Sequence, residues 1–349
     1  MKAYVLRGVN QFKLEEKEKP VLRTGEVLVK VMAAGICGSD IPRAYQTGAH
    51  VHPIIIGHEF SGKVVEVAAG EDDKWLHKPV GVFPLIPCRE CAPCRNKQYE
   101  MCRHYDYLGS RRDGAFAEYV AVPQECLIEL PDSVSYESAA MLEPMAVAVH
   151  AMRAMAVKKE DTVAICGLGT IGLFLAMFLK GAGVENILVI GNKEFQKERV
   201  CSLGIPEQRY CDIRKEDVAK WIGQHTEGCG VDVFFECVGK NETFAQAVEL
   251  TAPAGRVMLV GNPHSDMGLG KQLYWKILRN QLTVKGTWNS SFTGEAEDDW
   301  HYVLGMLAGG KIAPEQMVTH RFALDKLEQG FHIMRDKSED YIKIMGVFS

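Results

Sequence analysis

Hydrophobic and polar positions alternate in two different ways along the chain. In roughly the first 145 residues, short stretches with the two-residue period of a β-strand are separated by turns rich in glycine and proline. These stretches lie at 26–31, 59–67 and 115–122. From residue 161 onward, short apolar runs alternate with stretches of helical period, which predicts a parallel sheet covered by helices. The runs are 162–166, 186–190, 231–236, 256–260 and 282–285, and the helical stretches include 171–181 and 194–203.

This alternation stops after Gly286. Two helical patterns at 298–309 and 324–335 precede a strand pattern at 341–348, and we expect this last segment to return to the first domain. The sequence therefore predicts an α/β protein in three segments. Residues 1–147 form a β-rich domain, residues 148–286 form a doubly wound domain, and residues 287–349 form the returning segment.

Composition and charge narrow the possible functions. The chain has 349 residues, 47% of them hydrophobic, as in an ordinary globular protein. The 40 Lys and Arg residues against 45 Asp and Glu give a formal charge of -5, and without a basic run a nucleic-acid partner is not expected. The N-terminal residues lack the apolar core of a signal peptide, and no stretch resembles a membrane span. We expect a cytoplasmic protein with no membrane partner.

Four of the 11 cysteines are close together and have the spacing of a metal site. They are Cys88, Cys91, Cys94 and Cys102, in the pattern C-x2-C-x2-C-x7-C. Short gaps allow one tight loop to present several thiolates to a tetrahedral zinc, and four thiolates leave no open position for catalysis. We predict a structural zinc site here. An iron–sulfur cluster is the alternative, because its ligands are also four closely spaced thiolates.

A second set of possible ligands is dispersed along the chain. It consists of Cys37 in G-I-C-G-S-D, His58 and Glu59 in G-H-E, and Glu143 in L-E-P. A mixed sulfur, nitrogen and oxygen set can hold zinc and leave a position open for water or substrate. Taken singly, His58 is more often a histidine of the core and Cys37 a small buried apolar residue, and only the other motifs together favour the metal site.

A glycine-rich turn predicts a dinucleotide site. Gly167, Gly169 and Gly172 follow an apolar strand and begin a helix together with Thr170 and Ile171. Such a turn lets the helix N-terminus approach a pyrophosphate. About twenty residues later, Asn192 and Lys193 stand where NAD enzymes present a carboxylate to the ribose. The missing carboxylate and the lysine favour NADP over NAD, although a lysine at a helix start is also common as a solvated residue.

Taken in order, these motifs and D-G-A-F-A-E-Y at 113–119 resemble the zinc-containing medium-chain dehydrogenases, the family of alcohol, sorbitol and threonine dehydrogenases. The resemblance implies a catalytic domain of the GroES-like type, a Rossmann domain, two zinc ions per chain and a dimer or tetramer. It also implies that Cys37 and His58 bind the catalytic zinc, that Glu59 or Glu143 binds it directly or through water, and that Ser39 passes the substrate proton outward. The alternative for Ser39 is a cap on a helix that begins near Asp40.

Glu143 stands where alcohol dehydrogenases have a cysteine ligand, which favours the sorbitol-dehydrogenase-like branch. Further stretches at 47–50, 105–114 and 276–279 resemble the members of the family that oxidise galactitol 1-phosphate. We therefore expect a polyol or sugar-phosphate substrate, with Arg111 and Arg112 as candidates for the phosphate contact. A solvated or interface pair is the alternative for these arginines. Threonine or another small secondary alcohol is the alternative substrate, and a catalytically silent regulator that binds zinc and nucleotide is the alternative function.

Overall fold

The computed structural model describes residues 1–263 and 265–348 and divides the chain into two compact units. Unit 1 contains residues 1–146 and 290–349, and unit 2 contains residues 147–289. The C-terminal segment therefore belongs to the same unit as the N-terminal segment. Among the described residues, no helix combines the length and the apolar character that a membrane crossing requires.

Unit 1 is built mainly of short strands. Its strands are β1 (Lys2–Leu6), β2 (Phe12–Glu16), β3 (Glu26–Ile36), β4 (Ile54–Ile55), β5 (Glu59–Val67), β6 (Pro79–Val82), β7 (Leu85–Ile86), β8 (Asp106–Tyr107), β9 (Tyr119–Pro123) and β10 (Leu127–Glu129), and its helices are α1 (Asp40–Tyr45), α2 (Ala92–Arg95) and α3 (Tyr136–Ala140). Helix α4 (Leu142–Ala154) begins in unit 1 and contains the boundary.

Unit 2 alternates strands with helices. In chain order it contains β11 (Thr162–Cys166), α5 (Thr170–Gly181), β12 (Asn186–Gly191), α6 (Glu194–Ser202), β13 (Tyr210–Asp212), α7 (Val218–His225), β14 (Val231–Glu236), α8 (Asn241–Leu250), β15 (Thr251–Leu259), α9 (Lys271–Arg279) and β16 (Thr283–Gly286). The returning segment adds α10 (Asp299–Ala308), β17 (Val318–Phe322), α11 (Leu327–Asp336) and β18 (Lys343–Val347) to unit 1.

The sheet of unit 2 has the strand order β13-β12-β11-β14-β15-β16, and every neighbouring pair is parallel. Its central strands are apolar on both faces, as expected when helices cover both sides. This confirms the predicted doubly wound sheet. The prediction missed β13, because three residues are too few to show a period.

The main sheet of unit 1 has the order β10-β6-β5-β3-β18-β17, with β9 also paired to β3. Strand β18 from the chain's end lies antiparallel beside β3, with Ile344 opposite Ile36. The predicted strand at 115–122 is wrong in its first half. There the backbone N–H groups of Ala115 and Phe116 donate to the carbonyls of Gly57 and Ile56, and regular pairing begins only at β9. The place where β3 ends and β5 begins, opposite each other, positions the candidate site described next.

Candidate active site

The four-cysteine loop brings its sulfur atoms together without forming disulfides. The Sγ atoms of Cys91 and Cys94 are 3.5 Å apart, those of Cys88 and Cys94 are 3.9 Å apart, and those of Cys91 and Cys102 are 4.0 Å apart. A tetrahedral zinc with bonds of about 2.3 Å needs sulfurs about 3.8 Å from each other. The loop therefore fits a zinc ion. Thiolates that each bind a separate iron of a cluster would have to be more widely spaced.

Backbone groups of the loop also stabilise the ionised form of its cysteines. Backbone N–H groups of Arg103 and Cys94 point at the Cys91 sulfur and lower the pKa of that thiol to about 6. The Cys88 N–H donates to the sulfur of Cys102 at 3.2 Å. This arrangement stabilises thiolates, the form that binds zinc.

Three residues of the second predicted set meet at the end of β3 and the start of β5. Cys37 follows β3, His58 precedes β5 and Glu59 is its first residue, and ligand atoms of all three lie within 4.8 Å of one another. His58 and Glu59 are buried, at 5% and 2% relative exposure. Glu143, also buried, lies in the first turn of α4 and is outside this group of three. A half-buried thiol beside a buried imidazole and a buried carboxylate fits a zinc ion by its donor chemistry.

Glu143 is held close to this group by Tyr107. The Tyr107 hydroxyl donates to Glu143 Oε1 at 3.3 Å, and its ring meets the His58 ring edge-on, with centroids 5.8 Å apart. Burial raises the pKa of Glu143 to about 7, the charge of Glu59 adds to this rise, and His58 opposes it. Burial also raises the pKa of Tyr107 well above its ordinary value. Glu143 is therefore a second carboxylate beside the predicted zinc ligands.

Sequence reasoning missed Asp40, which is fully buried behind His58. Its Oδ1 lies 3.5 Å from His58 Nδ1 and 2.6 Å from the guanidinium of Arg43, and its Oδ2 accepts the Cys37 N–H at 3.0 Å. Although burial alone would raise it, the pKa of Asp40 is lowered by His58 and Arg43. A carboxylate behind a metal-binding histidine fixes the ring orientation. The signal in the sequence was Asp40 and Arg43, three residues apart at a helix start.

Ser39 contacts the same group. Its hydroxyl donates to the Cys37 sulfur at 3.3 Å, and its side chain makes no capping hydrogen bond to α1. Ser39 does stand at the N-cap position of α1, as the helix-cap alternative expects, but its hydroxyl is directed to the thiol and does not cap the helix.

A second missed residue is Lys343, from the C-terminal strand β18. Its Nζ forms an ion pair with Glu59 Oε2 and donates to the Ile36 carbonyl at 3.1 Å. A single lysine in an apolar strand gives no signal of its partner, because the pairing of β18 with β3 joins residues about 300 positions apart.

In unit 2, the glycine turn lies between β11 and α5 as predicted. Gly169 is the residue before the helix, and Thr170 and Ile171 form its first turn. A Cβ on Gly172 would lie 2.0 Å from the Gly167 carbonyl oxygen, so the turn requires glycine to pack this closely. Helix α5 begins directly after this turn, and a helix N-terminus is suited to a pyrophosphate.

The end of β12 carries Gly191, followed by Asn192 and Lys193. The Tyr210 hydroxyl, from the start of β13, accepts the Lys193 N–H at 3.2 Å and donates to the Lys193 carbonyl at 2.9 Å. Beside it, Asp212 is ion-paired with Arg214 at 2.6 Å, and this contact lowers the pKa of Asp212 far below its usual range. The carboxylate in the last residue of β13 is thus already paired with an arginine.

The two candidate phosphate contacts differ in their surroundings. Arg112 donates to the buried carboxylate of Glu26 at 2.5 Å and lies 3.9 Å from Asp106. Arg111 is exposed, and its guanidinium lies 4.6 Å from the centre of the Tyr105 ring. Within residues 1–263 and 265–348, Arg111 has no carboxylate at ion-pair distance. Of these two arginines, only Arg111 is without a carboxylate partner that would compete with a phosphate.

Comparisons with known proteins agree with this arrangement. Residues 23–132 match the alcohol dehydrogenase GroES-like domain, and residues 170–309 match the zinc-binding dehydrogenase domain. These matches confirm the predicted fold class, with a GroES-like part and a Rossmann-like part.

Among the relatives, the galactitol 1-phosphate 5-dehydrogenase of Escherichia coli K12 is 32% identical over 308 residues, covering 87% of each chain. A crystal structure of galactitol-1-phosphate dehydrogenase from Escherichia coli superimposes with a TM-score of 0.91 at 31% identity, covering 99% of this chain and 100% of that one.

Two further structures contain cofactor. A zinc-binding dehydrogenase of Sinorhizobium meliloti 1021 bound to NADP has a TM-score of 0.90 at 27% identity, covering 99% of this chain and 98% of its own. An alcohol dehydrogenase of Escherichia coli CFT073 complexed with NADH has the same TM-score and identity and covers 100% of this chain and 99% of its own. The relatives therefore include proteins bound to either nicotinamide cofactor.

Proposed function

The chain belongs to the zinc-containing medium-chain dehydrogenases, the family of alcohol and sorbitol dehydrogenases, and from that premise we propose that it oxidises a secondary alcohol of a polyol or polyol phosphate similar to galactitol 1-phosphate. The observation that carries this proposal is the meeting of Cys37, His58 and Glu59 beside Glu143, an oxygen-rich donor set. The 32% identical relative acts on galactitol 1-phosphate by name and supports the same substrate class.

In this proposal Cys37, His58 and one of the glutamates hold the catalytic zinc, and the four cysteines 88, 91, 94 and 102 hold the second zinc. When bound, the catalytic zinc supplies a Lewis acid that favours ionisation of a substrate hydroxyl. Asp40 orients His58 from behind. The Ser39 hydroxyl, half-buried beside Cys37, accepts the proton of the substrate hydroxyl and passes it outward.

For the electron acceptor we propose NADP rather than NAD. The turn Gly167–Gly172 holds the pyrophosphate at the N-terminus of α5. Residues 191–193 carry no carboxylate to repel a 2′-phosphate, Asp212 is neutralised by Arg214, and Lys193 adds a positive charge at the end of β12. The Tyr210 hydroxyl orders this loop through the Lys193 backbone.

The Lys193→Glu variant is expected to lower kcat/KM for NADP by about 10- to 100-fold, the value of one charge-assisted hydrogen bond. With NAD the change should be small, because a carboxylate at this position suits a free ribose. Steady-state kinetics with both cofactors measure this difference. Lys180→Glu, an exposed lysine of α5 outside the loop, is the matched control. An equal loss with both cofactors would contradict the assignment.

For the phosphate contact we propose Arg111 alone, since Arg112 is paired with Glu26. A chain of aromatic rings connects Arg111 to the site. Its guanidinium rests on Tyr105, Tyr105 meets Tyr107 with centroids 6.1 Å apart, and Tyr107 meets His58.

The charges of Arg111 and Arg43 both act on His50. Burial, and then the charges of Arg111 and Arg43, lower the pKa of His50. A phosphate near Arg111 and His50 would therefore be attracted by charge as well as by paired hydrogen bonds.

Arg111→Ala should raise KM for galactitol 1-phosphate by about 10- to 100-fold and leave KM for galactitol nearly unchanged. Arg111→Lys should recover only part of the loss, because an ammonium cannot form the paired contact. The exposed Arg103, in the same segment, provides the control variant Arg103→Ala. Equal effects of Arg111→Ala on both substrates would reject the phosphate contact.

Threonine or another small secondary alcohol stays the alternative substrate, and a silent regulator stays the alternative function. A screen of polyols, their phosphates and threonine with both cofactors, followed by absorbance of the reduced nicotinamide, separates these possibilities. Reduction with a polyol phosphate supports the proposal, reduction only with threonine supports the alternative substrate, and no reduction with any alcohol supports the regulator.

We also propose a homo-oligomer that associates through unit 2. Strand β16 is the edge of its sheet and is exposed along its whole length. Nearby in sequence, Tyr274, Trp275, Leu278 and Trp288 are large apolar residues at 42–58% exposure. An uncovered sheet edge beside exposed apolar side chains is typical of a surface that pairs with another copy.

A further inference from the structure

The buried lysine at the candidate zinc site is unusual in its position. Lys343 is only 2% exposed, yet it carries a positive charge toward a group of residues that would hold a divalent cation. A buried charge is costly unless it is paired and hydrogen-bonded. Here Glu59 supplies the ion pair and the Ile36 carbonyl accepts a hydrogen bond. Lys343 therefore depends on Glu59 to be stable where it is.

The backbone makes room for this pair. A Cβ at Gly35 would lie 2.4 Å from Glu59 Oε2 and 2.6 Å from Lys343 Cε. Gly35 is opposite both Glu59 and Met345 in the sheet, so the side chains of Glu59 from β5 and Lys343 from β18 meet above a glycine. The contact between Lys343 and Glu59 therefore depends on the glycine at position 35 of β3.

Charge balance suggests what the pair does. Bound zinc would hold Cys37 and Glu59 in their ionised forms, and an ionised Glu143 beside them would bring the negative charges to three against the two positive charges of the ion. Lys343 supplies the remaining positive charge within the same buried region. If Lys343 were neutral, the Glu59 carboxylate would have only the zinc as a positive partner and would bind it more strongly.

We propose that Lys343 is a positioning residue, which holds Glu59 as its counter-ion and thereby weakens the bond of Glu59 to zinc, so that one coordination position stays open for substrate. Glu143 is held separately by the Tyr107 hydroxyl. The two glutamates thus differ in their partners, and Lys343 determines how firmly Glu59 ligates the metal. This inference rests on the proposed function only through the zinc ligands Cys37 and His58.

The test uses the full-length protein with cobalt in place of the catalytic zinc, because the visible spectrum of cobalt reports the number and type of its ligands. Lys343→Met is expected to change this spectrum toward a higher coordination number, to tighten zinc at this site by at least about tenfold in a chelator competition, and to lower kcat. In the Glu59→Gln background, the same Lys343→Met change should leave the spectrum unaltered, since the released carboxylate is gone.

Two further variants keep the test decisive. Lys343→Arg keeps the charge and should keep the parent spectrum, so a shifted spectrum in folded Lys343→Arg would overturn the proposal. Lys63→Met, an exposed lysine on the same strand as Glu59, should change nothing.

An unchanged spectrum and zinc affinity in Lys343→Met would overturn the positioning role. An equal spectral change with and without Glu59 would show that Lys343 acts on the metal directly, which also overturns the proposal. Zinc content of the parent separates this failure from failure of the proposed function. One zinc per chain would remove the catalytic site itself, whereas two zincs with a silent Lys343→Met would remove only this inference.

Discussion

Replacing His58 with alanine is expected to lower kcat/KM for the preferred alcohol by about a thousandfold or more, because the Lewis acid that favours ionisation of the hydroxyl is worth several kcal/mol. Zinc content should fall from two ions per chain to one. The remaining ligands Cys37 and Glu59 should not retain the ion, because they lie at the ends of two paired strands and cannot move into the space left by the imidazole ring. Kinetics and metal analysis of the same preparation provide both measurements.

The exposed His104 lies in the same unit, and His104→Ala is the matched control, which should keep both zinc ions and full activity. Thermal unfolding of His58→Ala should remain cooperative, because the four-cysteine loop does not include this residue. Full activity of His58→Ala with one zinc lost would show that the catalytic metal lies elsewhere, and full activity with both zincs retained would exclude His58 as a ligand.

Elements whose apolar residues follow a short-range pattern could be predicted from the sequence. The five apolar runs of unit 2 all became parallel strands. Strands β11, β12 and β14 are almost continuously buried, which explains their apolar runs, whereas β16 is an exposed edge strand. Strand β3 was predicted too short. Its second half contains Ala33, Ala34 and Gly35, which have low strand propensity and are held in the sheet by pairing with β5 and β18.

The residues of the candidate site also fall into those that the sequence could predict and those that it could not. Motifs with fixed local spacing identified the four cysteines and the glycine turn, and a family resemblance identified Cys37, His58 and Glu143. Asp40 and Lys343 could not be found, because their roles depend on which charges they face after folding. Arg111 and Arg112 are adjacent in sequence and equivalent in pattern, and only the buried Glu26 beside Arg112 distinguishes them.

The second large effect is expected for Cys94→Ala. Loss of one thiolate should release the structural zinc, and the free energy of metal binding that this loop contributes to folding is lost with it. Loss of a metal belongs to the mutations that cost more than about 4 kcal/mol, so Tm should fall by on the order of 10 °C. Residues 88–102 contain only α2 and one short turn of helix, and the ion replaces the apolar core that such a segment lacks.

Cys201→Ser, an exposed thiol in unit 2, is the control for loss of a cysteine and should leave zinc content and Tm unchanged. Metal analysis, thermal unfolding and zinc back-titration of Cys94→Ala distinguish the possible outcomes. Added zinc should not restore Tm in this variant, although it should restore the chelator-treated parent. Because the loop contributes no residue to the group around His58, kcat at a temperature well below Tm should fall far less than in His58→Ala. A Cys94→Ala protein with two zincs and the Tm of the parent would contradict the structural role of this loop.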